Sequence, residues 1–370
     1  MIKVCHITSV HPQKDVRIFE KECVSLEQNG YEVHLVAPGK SEICQRVQIH
    51  GIGEVPEKRL KRMFSFSKKA YKAALMCNAE LYHFHDPELI PYGLKLKKKG
   101  KRVIFDSHEN VLEQFSEKSY IPKVIRITLE RLYTRFLKYA CSKFDVVISV
   151  DPYICKKYEP FSKRVEMITN YPQIEEIKRS YEADVPYIAF AGGVSEQWNH
   201  ETVIKAISQI KNLKYILCGI TDREYLEKLK MLPGWEKVDY RGKVTHQEAL
   251  EILTGAVAGV ALCSYSNNTN NKQGTIGNTK LFEIMMCGIP VICTDFISWS
   301  EIVEKNQCGI CINPKDTNSL VDAIKKLLRD ERVRMEMGYN GKKAIHNSYS
   351  WEQEKEKLIA IYNELLSVRR

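Results

Sequence analysis

The sequence predicts an α/β protein made of two doubly wound halves, and three observations carry that expectation. Short Val/Ile/Leu-rich runs alternate with amphipathic stretches along nearly the whole chain. The alternation pauses once, in the polar segment VEMITNYPQIEEIKRSYEADVPY, and then restarts. A chain of 370 residues is also long enough for two domains, each with its own core. Near-continuous apolar strands separated by helices are the pattern of parallel sheets covered on both faces.

In order, Ile2–Ile7 reads as a strand, followed by a helix over Ile18–Asn29 that ends at Gly30. Val33–Val36, Leu81–Phe84, Val103–Phe105 and Val146–Val150 are the next strands, with long amphipathic segments near 60–77 and 121–141 between them. After a linker at about 170–185, Tyr187–Ala191, Tyr215–Cys218, Val257–Cys263 and Val291–Thr294 form the second set. The tail WEQEKEKLIAIYNELL is helical and starts after Ser350, a natural N-cap. Three parts result: residues 1–170, residues 171–350, and a terminal helix over 351–370.

Composition narrows the class. At 44% hydrophobic and 28% charged the chain is ordinary globular protein, not disordered or collagen-like. No apolar run approaches the ~20 residues that span a bilayer, and the opening MIKVCHITSVHP does not read as a signal peptide. A reducing, cytoplasmic setting fits the 12 scattered cysteines, which read as buried filler. Cys308 and Cys311 have no second pair and no histidine at ligand spacing, so no metal is expected there. Residues 1–170 hold 30 Lys+Arg against 20 Asp+Glu, whereas the remainder balances, so the whole net charge of +10 belongs to the first half. KRLKRMFSFSKKAYK and KLKKKGKR are its densest clusters. Such a field suits an anionic membrane surface; without an aromatic RNA-binding signature or helix-turn-helix pattern, nucleic acid is not expected.

The most informative stretch is QGTIGNTKLFEIMMCGIPVICT. A loop bearing Gly274 and Gly277 enters a helix capped by Asn278 or Thr279, where free amides can cradle an anion. Lys280 in the first turn is a cation poised for phosphate, and Glu283 on the same face can accept bonds from a pair of hydroxyls. Phosphate plus diol is what a nucleotide presents. Gly192 and Gly193, followed by Val194 and Ser195, form a second candidate phosphate loop. The chain has no G-x-G-x-x-G after its first strand, no P-loop and no D-x-D pair, so no metal and no dissociable cofactor are expected at the phosphates. In the first half, His11 with Asp15 and Arg17, His85 with Asp86, and His108 with Glu109 collect at three strand ends and suggest one wall of a cleft.

Taken together, DVRIFEKECVSLEQNGYEVHLVAP, VIFDSHEN, VEMITNYP, FAGGVS, YRGKVTHQEALEIL, KLFEIMMCGIPVICTD and SEIVEKNQCGICINPKD resemble glycosyltransferase family 4, the retaining GT-B group, over nearly the whole chain. The resemblance implies two Rossmann-like domains facing across a cleft, a nucleotide-sugar donor on the second and an acceptor on the first. It also implies that the last helix crosses back to the first domain. Glu283 resembles the glutamate that holds the ribose diol, and His108 the histidine near the transferred sugar. Members of this kind build bacterial cell-surface polysaccharides such as lipopolysaccharide or capsule. The reading is a cytoplasmic transferase, peripheral at the inner membrane face, that moves a sugar from a UDP- or GDP-sugar to a growing, lipid-linked glycan.

The chain departs from that pattern at three positions. The family's first motif glutamate falls on Thr275, and its two diphosphate-clamping cations fall on Gly193 and Trp198. Lys280, the 274–279 amides, and Arg241 or Lys243 with the adjacent Val244 are the expected substitutes. Because of these departures two alternatives stand beside the transferase: a GT-B nucleotide-sugar epimerase, and a catalytically idle, membrane-associated glycan- or nucleotide-binding protein.

Overall fold

The structure is a computed structural model that describes residues 1–58, 61–107, 123–177, 181, 183–267 and 269–367. It divides into two compact units, Met1–Asn170 with Trp351–Arg370, and Tyr171–Ser350.

Unit 1 is built on β1 (Lys3–Ile7), β2 (Glu32–Ala37), β3 (Glu42–Cys44), β4 (Val47–Gly51), β5 (Leu81–Phe84), β6 (Arg102–Ser107), β7 (Val146–Ser149) and β8 (Val165–Met167). Its sheet runs β3-β4-β2-β1-β5-β6-β7-β8, parallel throughout except for the β3–β4 hairpin at one edge. Unit 2 is built on β9 (Tyr187–Ala191), β10 (Lys214–Cys218), β11 (Val238–Gly242), β12 (Ala258–Ala261), β13 (Val291–Thr294) and β14 (Gly309–Ile312), in the all-parallel order β11-β10-β9-β12-β13-β14. Both are Rossmann-like. In each sheet the order reverses beside its first strand, at β1/β5 and at β9/β12. Diverging crossovers open a crevice beyond the carboxyl ends of those strands, where ligands of such sheets bind.

Each face of the unit 1 sheet has a core. One gathers Phe84, Phe105, Phe144 and Tyr158; the other gathers Ile18, Phe19, Leu35 and Ile104 and is completed by the last helix, Trp351–Ser367. Trp351, Leu358, Ile361 and Tyr362 of that helix are buried there. Polar ties fix its register: Trp351 Nε1 donates to Ser25 Oγ at 3.0 Å, and the Glu354 carboxylate accepts from the Thr169 amide at 2.8 Å.

Two expectations change. The helix read over Ile18–Asn29 is π-helical over Val16–Cys23 and becomes α-helical only over Val24–Gln28. Asp15 starts it, accepting from the Arg17 and Ile18 amides at 2.9 Å each, and its carbonyl accepts from the Glu20 amide five residues on. The wider turn places six of eight side chains inward, Arg17, Lys21 and Glu22 among them, which an amphipathic α-helix cannot do. The strands β3, β4, β8, β11 and β14 carried no apolar run long enough to read; their burial is partial, as their patterns show.

Candidate active site

In unit 2 the crevice takes shape where β9, β10 and β11 end. A pocket of about 370 Å³ is lined by Gly192, Gly193, Gly219, Ile220, Lys243–His246, Lys280 and Glu283, among others. Two glycines let its walls meet. A Cβ on Gly219 would lie 1.6 Å from the Gly192 carbonyl oxygen, and a Cβ on Gly192 would lie 2.7 Å from Lys280 Cε. Gly192 is therefore the floor against which the Lys280 side chain lies. Gly193 faces open space, with nothing within 4 Å of an added Cβ.

The helix carrying the charged pair is short, Lys280–Met286. Thr279 is its N-cap, and the Asn278 side chain just before it accepts from the Lys280 amide at 3.0 Å. Thr279 Oγ1 donates to Glu283 Oε1 at 2.8 Å, and Lys280 Nζ bonds Glu283 Oε2 at 2.7 Å. Burial pushes the Glu283 carboxyl up, but the Lys280 ammonium and the Thr279 hydroxyl more than offset this, so it sits below the usual carboxylate range. The result is a carboxylate held ionised in a half-enclosed site, with an ammonium beside it. Gly274 closes the preceding loop at φ +77°, where a Cβ would meet Phe296 at 2.4 Å. Within that loop Thr275 Oγ1 accepts from the Gly277 amide at 3.1 Å.

The other donor-side residues divide. Lys243 and Val244 line the pocket. Arg241 does not: its guanidinium forks onto Asp239 at 2.8 and 2.6 Å and reaches the Tyr181 hydroxyl at 2.8 Å, lining a separate hollow. As a substitute clamp Arg241 is corrected by that pairing, and Lys243 remains. Ser195 opens a 3-10 turn, Glu196–Trp198, rather than a phosphate loop against the pocket. Trp198 is buried against Phe190, with ring centroids 5.2 Å apart, so a core side chain occupies that position. Thr245 and His246, unread in the sequence, also line the pocket. The T-x-x-E signature of THQE marked them, since Thr245 and Glu248 form a reciprocal capping box.

In unit 1 the switch point is held by Asp86, whose Oδ2 accepts from Thr8 Oγ1 at 2.9 Å and from the Ser9 amide at 2.6 Å. His11 stands over it, 3.5 Å from Asp86 and 3.6 Å from Asp15, and both His11 and Asp15 remain partly open to solvent. Burial raises the Asp15 carboxyl, but His11 and the capped amides pull it down to about 2. Arg17, His85 and Asp86 are corrected from wall to foundation, being buried to 6%, 2% and 3% exposure. Arg17 donates through Nε and Nη2 to Asp106 at 3.2 and 2.8 Å and through Nη1 to the Ile168 carbonyl at 2.9 Å. His108 and Glu109 lie outside the described residues.

Two family models match consecutive stretches of the chain: Glycosyltransferase Family 4 over residues 20–171, and Glycosyl transferases group 1 over residues 173–344. Among curated relatives, an uncharacterised glycosyltransferase of Methanocaldococcus jannaschii is 25% identical over 60% of this chain and 60% of its own length, so the chain spans less than two thirds of it. The N-acetylgalactosamine-N,N'-diacetylbacillosaminyl-diphospho-undecaprenol 4-alpha-N-acetylgalactosaminyltransferase of Campylobacter jejuni is 24% identical over 46% of each chain. Among solved structures, sucrose-phosphate synthase from Thermosynechococcus elongatus superposes with a TM-score of 0.79 over 100% of both chains at 17% identity, a likeness of fold. With one glycosyltransferase model matched on each Rossmann-like unit, the chain has the two-unit fold of the GT-B glycosyltransferases.

Proposed function

We propose that the chain is a retaining transferase that moves a sugar from a UDP- or GDP-sugar to a growing, lipid-linked glycan, with no metal at the donor phosphates. The observation that carries this is the Lys280–Glu283 pair laid against Gly192 in the unit 2 pocket. Glu283 takes the ribose diol, while Lys280 swings onto the diphosphate and Lys243, which lines the same pocket, supports it. Charge-assisted bonds to phosphate strengthen as the leaving group gains charge, which is what transfer requires. In this reading His108 takes the role of the family's histidine that acts on the transferred sugar, and His11 and Asp15 offer polar groups to the acceptor. The Campylobacter jejuni relative, whose name specifies an undecaprenol-diphosphate acceptor, supports a lipid-linked substrate.

Membrane docking belongs to the same reading. Exposed apolar side chains interleave with cations on unit 1: Phe64 among Arg62, Lys68 and Lys69, and Leu132 beside Arg131 and Arg135. Near an anionic surface such cations contribute roughly 1 kcal/mol each. No described helix is long and apolar enough to cross a membrane.

The reading is tested by titrating the purified protein calorimetrically, without metal, against UDP, GDP, CDP and ADP, and by following donor turnover with and without acceptor. Micromolar binding of one uridine or guanosine diphosphate is the expected result. Failure of every nucleotide to bind sinks it and favours the idle binding protein, which Trp198 and Thr275 motivate; turnover without acceptor favours the epimerase. Gly193→Arg gives a second check. The side chain has open space to enter, so the fold is kept and the diphosphate binds roughly tenfold tighter, about 1.4 kcal/mol. Unchanged affinity in a folded variant means that position 193 does not see the phosphates.

A further inference from the structure

Beneath the unit 1 switch point lies a cluster that the transfer reaction does not use. His6 on β1, Glu22 on the π-helical segment, and His83 and His85 at the end of β5 each offer a ligand atom, all within 4.8 Å of one another. His6, Glu22 and His83 are wholly buried and His85 is 2% exposed. Glu22 Oε2 has no hydrogen-bond partner among the described residues, while Oε1 lies 3.1 Å from the Arg17 guanidinium that it shares with Asp106. A buried carboxylate left that way costs several kcal/mol unless a cation compensates it. Glu22 and Asp106 both face the single guanidinium of Arg17.

The geometry points to a zinc-class divalent cation held by His6 Nδ1, His85 Nε2 and Glu22 Oε2. The three atoms are separated by 3.1, 3.6 and 3.7 Å. One point lies about 2.0 Å from all three, the bond length zinc makes to imidazole nitrogen and carboxylate oxygen. His83 borders the site: its Nδ1, 4.0 Å from Glu22 Oε2, bonds the Tyr362 hydroxyl at 2.9 Å, which leaves the fourth position to a small ligand such as water.

The second atom of each ligand already has a partner. His6 Nε2 is 2.9 Å from the Tyr362 hydroxyl, His85 Nδ1 lies 3.6 Å from Asp106, and Glu22 Oε1 is 3.1 Å from Arg17 Nε. This is the outer shell that orients imidazoles at metal sites: each far nitrogen faces an acceptor, which turns the near lone pairs to a common point. Borderline nitrogen and oxygen donors select zinc over calcium or magnesium. The ion takes no part in sugar transfer. It ties β1, β5 and the π-helical segment together under Tyr362, and so helps dock the last helix on unit 1.

The test starts from the full chain, purified without added metal or chelator. Its zinc is measured by plasma mass spectrometry; it is then stripped and titrated with Co²⁺ while the visible d–d bands are recorded. One equivalent of zinc, cobalt bands of low-symmetry nitrogen and oxygen coordination, and a melting temperature lowered on stripping by on the order of 5 °C are expected. Cys77→Ser controls for the other grouping of possible ligands, His34 with His50 and Cys77, and should keep the metal. His85→Asn should lose it. Substoichiometric zinc with no cobalt bands overturns the proposal, as does metal lost in Cys77→Ser or kept in His85→Asn. If His85→Asn does not fold, anomalous scattering at the zinc edge from wild-type crystals decides: a peak between His6, Glu22 and His85 upholds the site, and its absence overturns it.

Discussion

Glu283→Ala is expected to weaken nucleoside diphosphate binding about a hundredfold and to cut transfer at least as far. A carboxylate accepting from both ribose hydroxyls makes two bonds to a charged group, worth together about 3 kcal/mol at the low end of the usual range. The substitution also frees Lys280, whose ammonium now has its pocket partner removed. Freed, it can bind phosphate somewhat better, so the net loss measured is a lower bound on the diol contribution. A 2′,3′-dideoxynucleotide, which lacks both hydroxyls, separates the two effects. If Glu283 reads the diol, the dideoxy ligand binds weakly to the parent and no weaker to the variant; equal losses for both ligands contradict the diol assignment. The pH dependence follows from the same pair. The Glu283 carboxyl sits below its ordinary value because Lys280 and Thr279 outweigh burial, so it is fully ionised above the ordinary value, near 4.3, and its contribution to binding is lost only as pH falls through the lowered value of the unliganded pocket. In Lys280→Ala the strongest influence opposing burial is gone and only Thr279 and His246 still pull the carboxyl down, so it rises and the acid limb of the binding profile moves upward. An acid limb in the same place for both proteins means that the pair does not govern binding.

What the sequence made legible depended on whether a signal was local. The two halves and the parallel sheets were readable because β1, β5, β9 and β13 are continuous apolar runs whose period no other element shares. Glu283 and Lys280 were readable because a glycine-bearing loop entering a helix carries its own chemistry. Arg17 misled because charged residues are seldom buried, and its partner Asp106 stands 89 positions away. Arg241 misled for a local reason: Asp239, two residues before it on the same face of β11, takes both arms of its fork. The contact between Gly192 and Gly219 had no signal at all, since a glycine after a strand looks the same whether it faces solvent or another backbone. The π-helical turn was hidden too. Its residues satisfy an amphipathic α-pattern well enough, and only the tertiary demand to bring Arg17, Lys21 and Glu22 inward together selects the wider turn.

Arg17→Met is expected to destabilise unit 1 by about 3–5 kcal/mol, the largest effect on stability of any single side chain in that network. Arg17 neutralises Asp106 and faces Glu22 while satisfying the Ile168 carbonyl, and all of these are shut off from water. Methionine fills much of the volume but returns none of the charge, so two carboxylates are left facing each other in the core. Breaking such a pair costs more than the pair itself contributes, because what remains is an uncompensated buried charge. Asp106→Asn sharpens the point. It removes one carboxylate and leaves Arg17 paired with Glu22, so it should cost distinctly less than Arg17→Met, although Asp106 makes the shorter bonds. Were the network a set of independent pairs, the two substitutions would cost alike. Urea unfolding monitored separately for each unit measures this: the unit 1 transition should fall sharply in Arg17→Met, and the unit 2 transition should stay in place. A loss below about 1 kcal/mol in Arg17→Met means that water or a cation already compensates the carboxylates. Zinc analysis of that variant tells which, since a cation held by Glu22 is the compensation that the geometry around His6 and His85 provides.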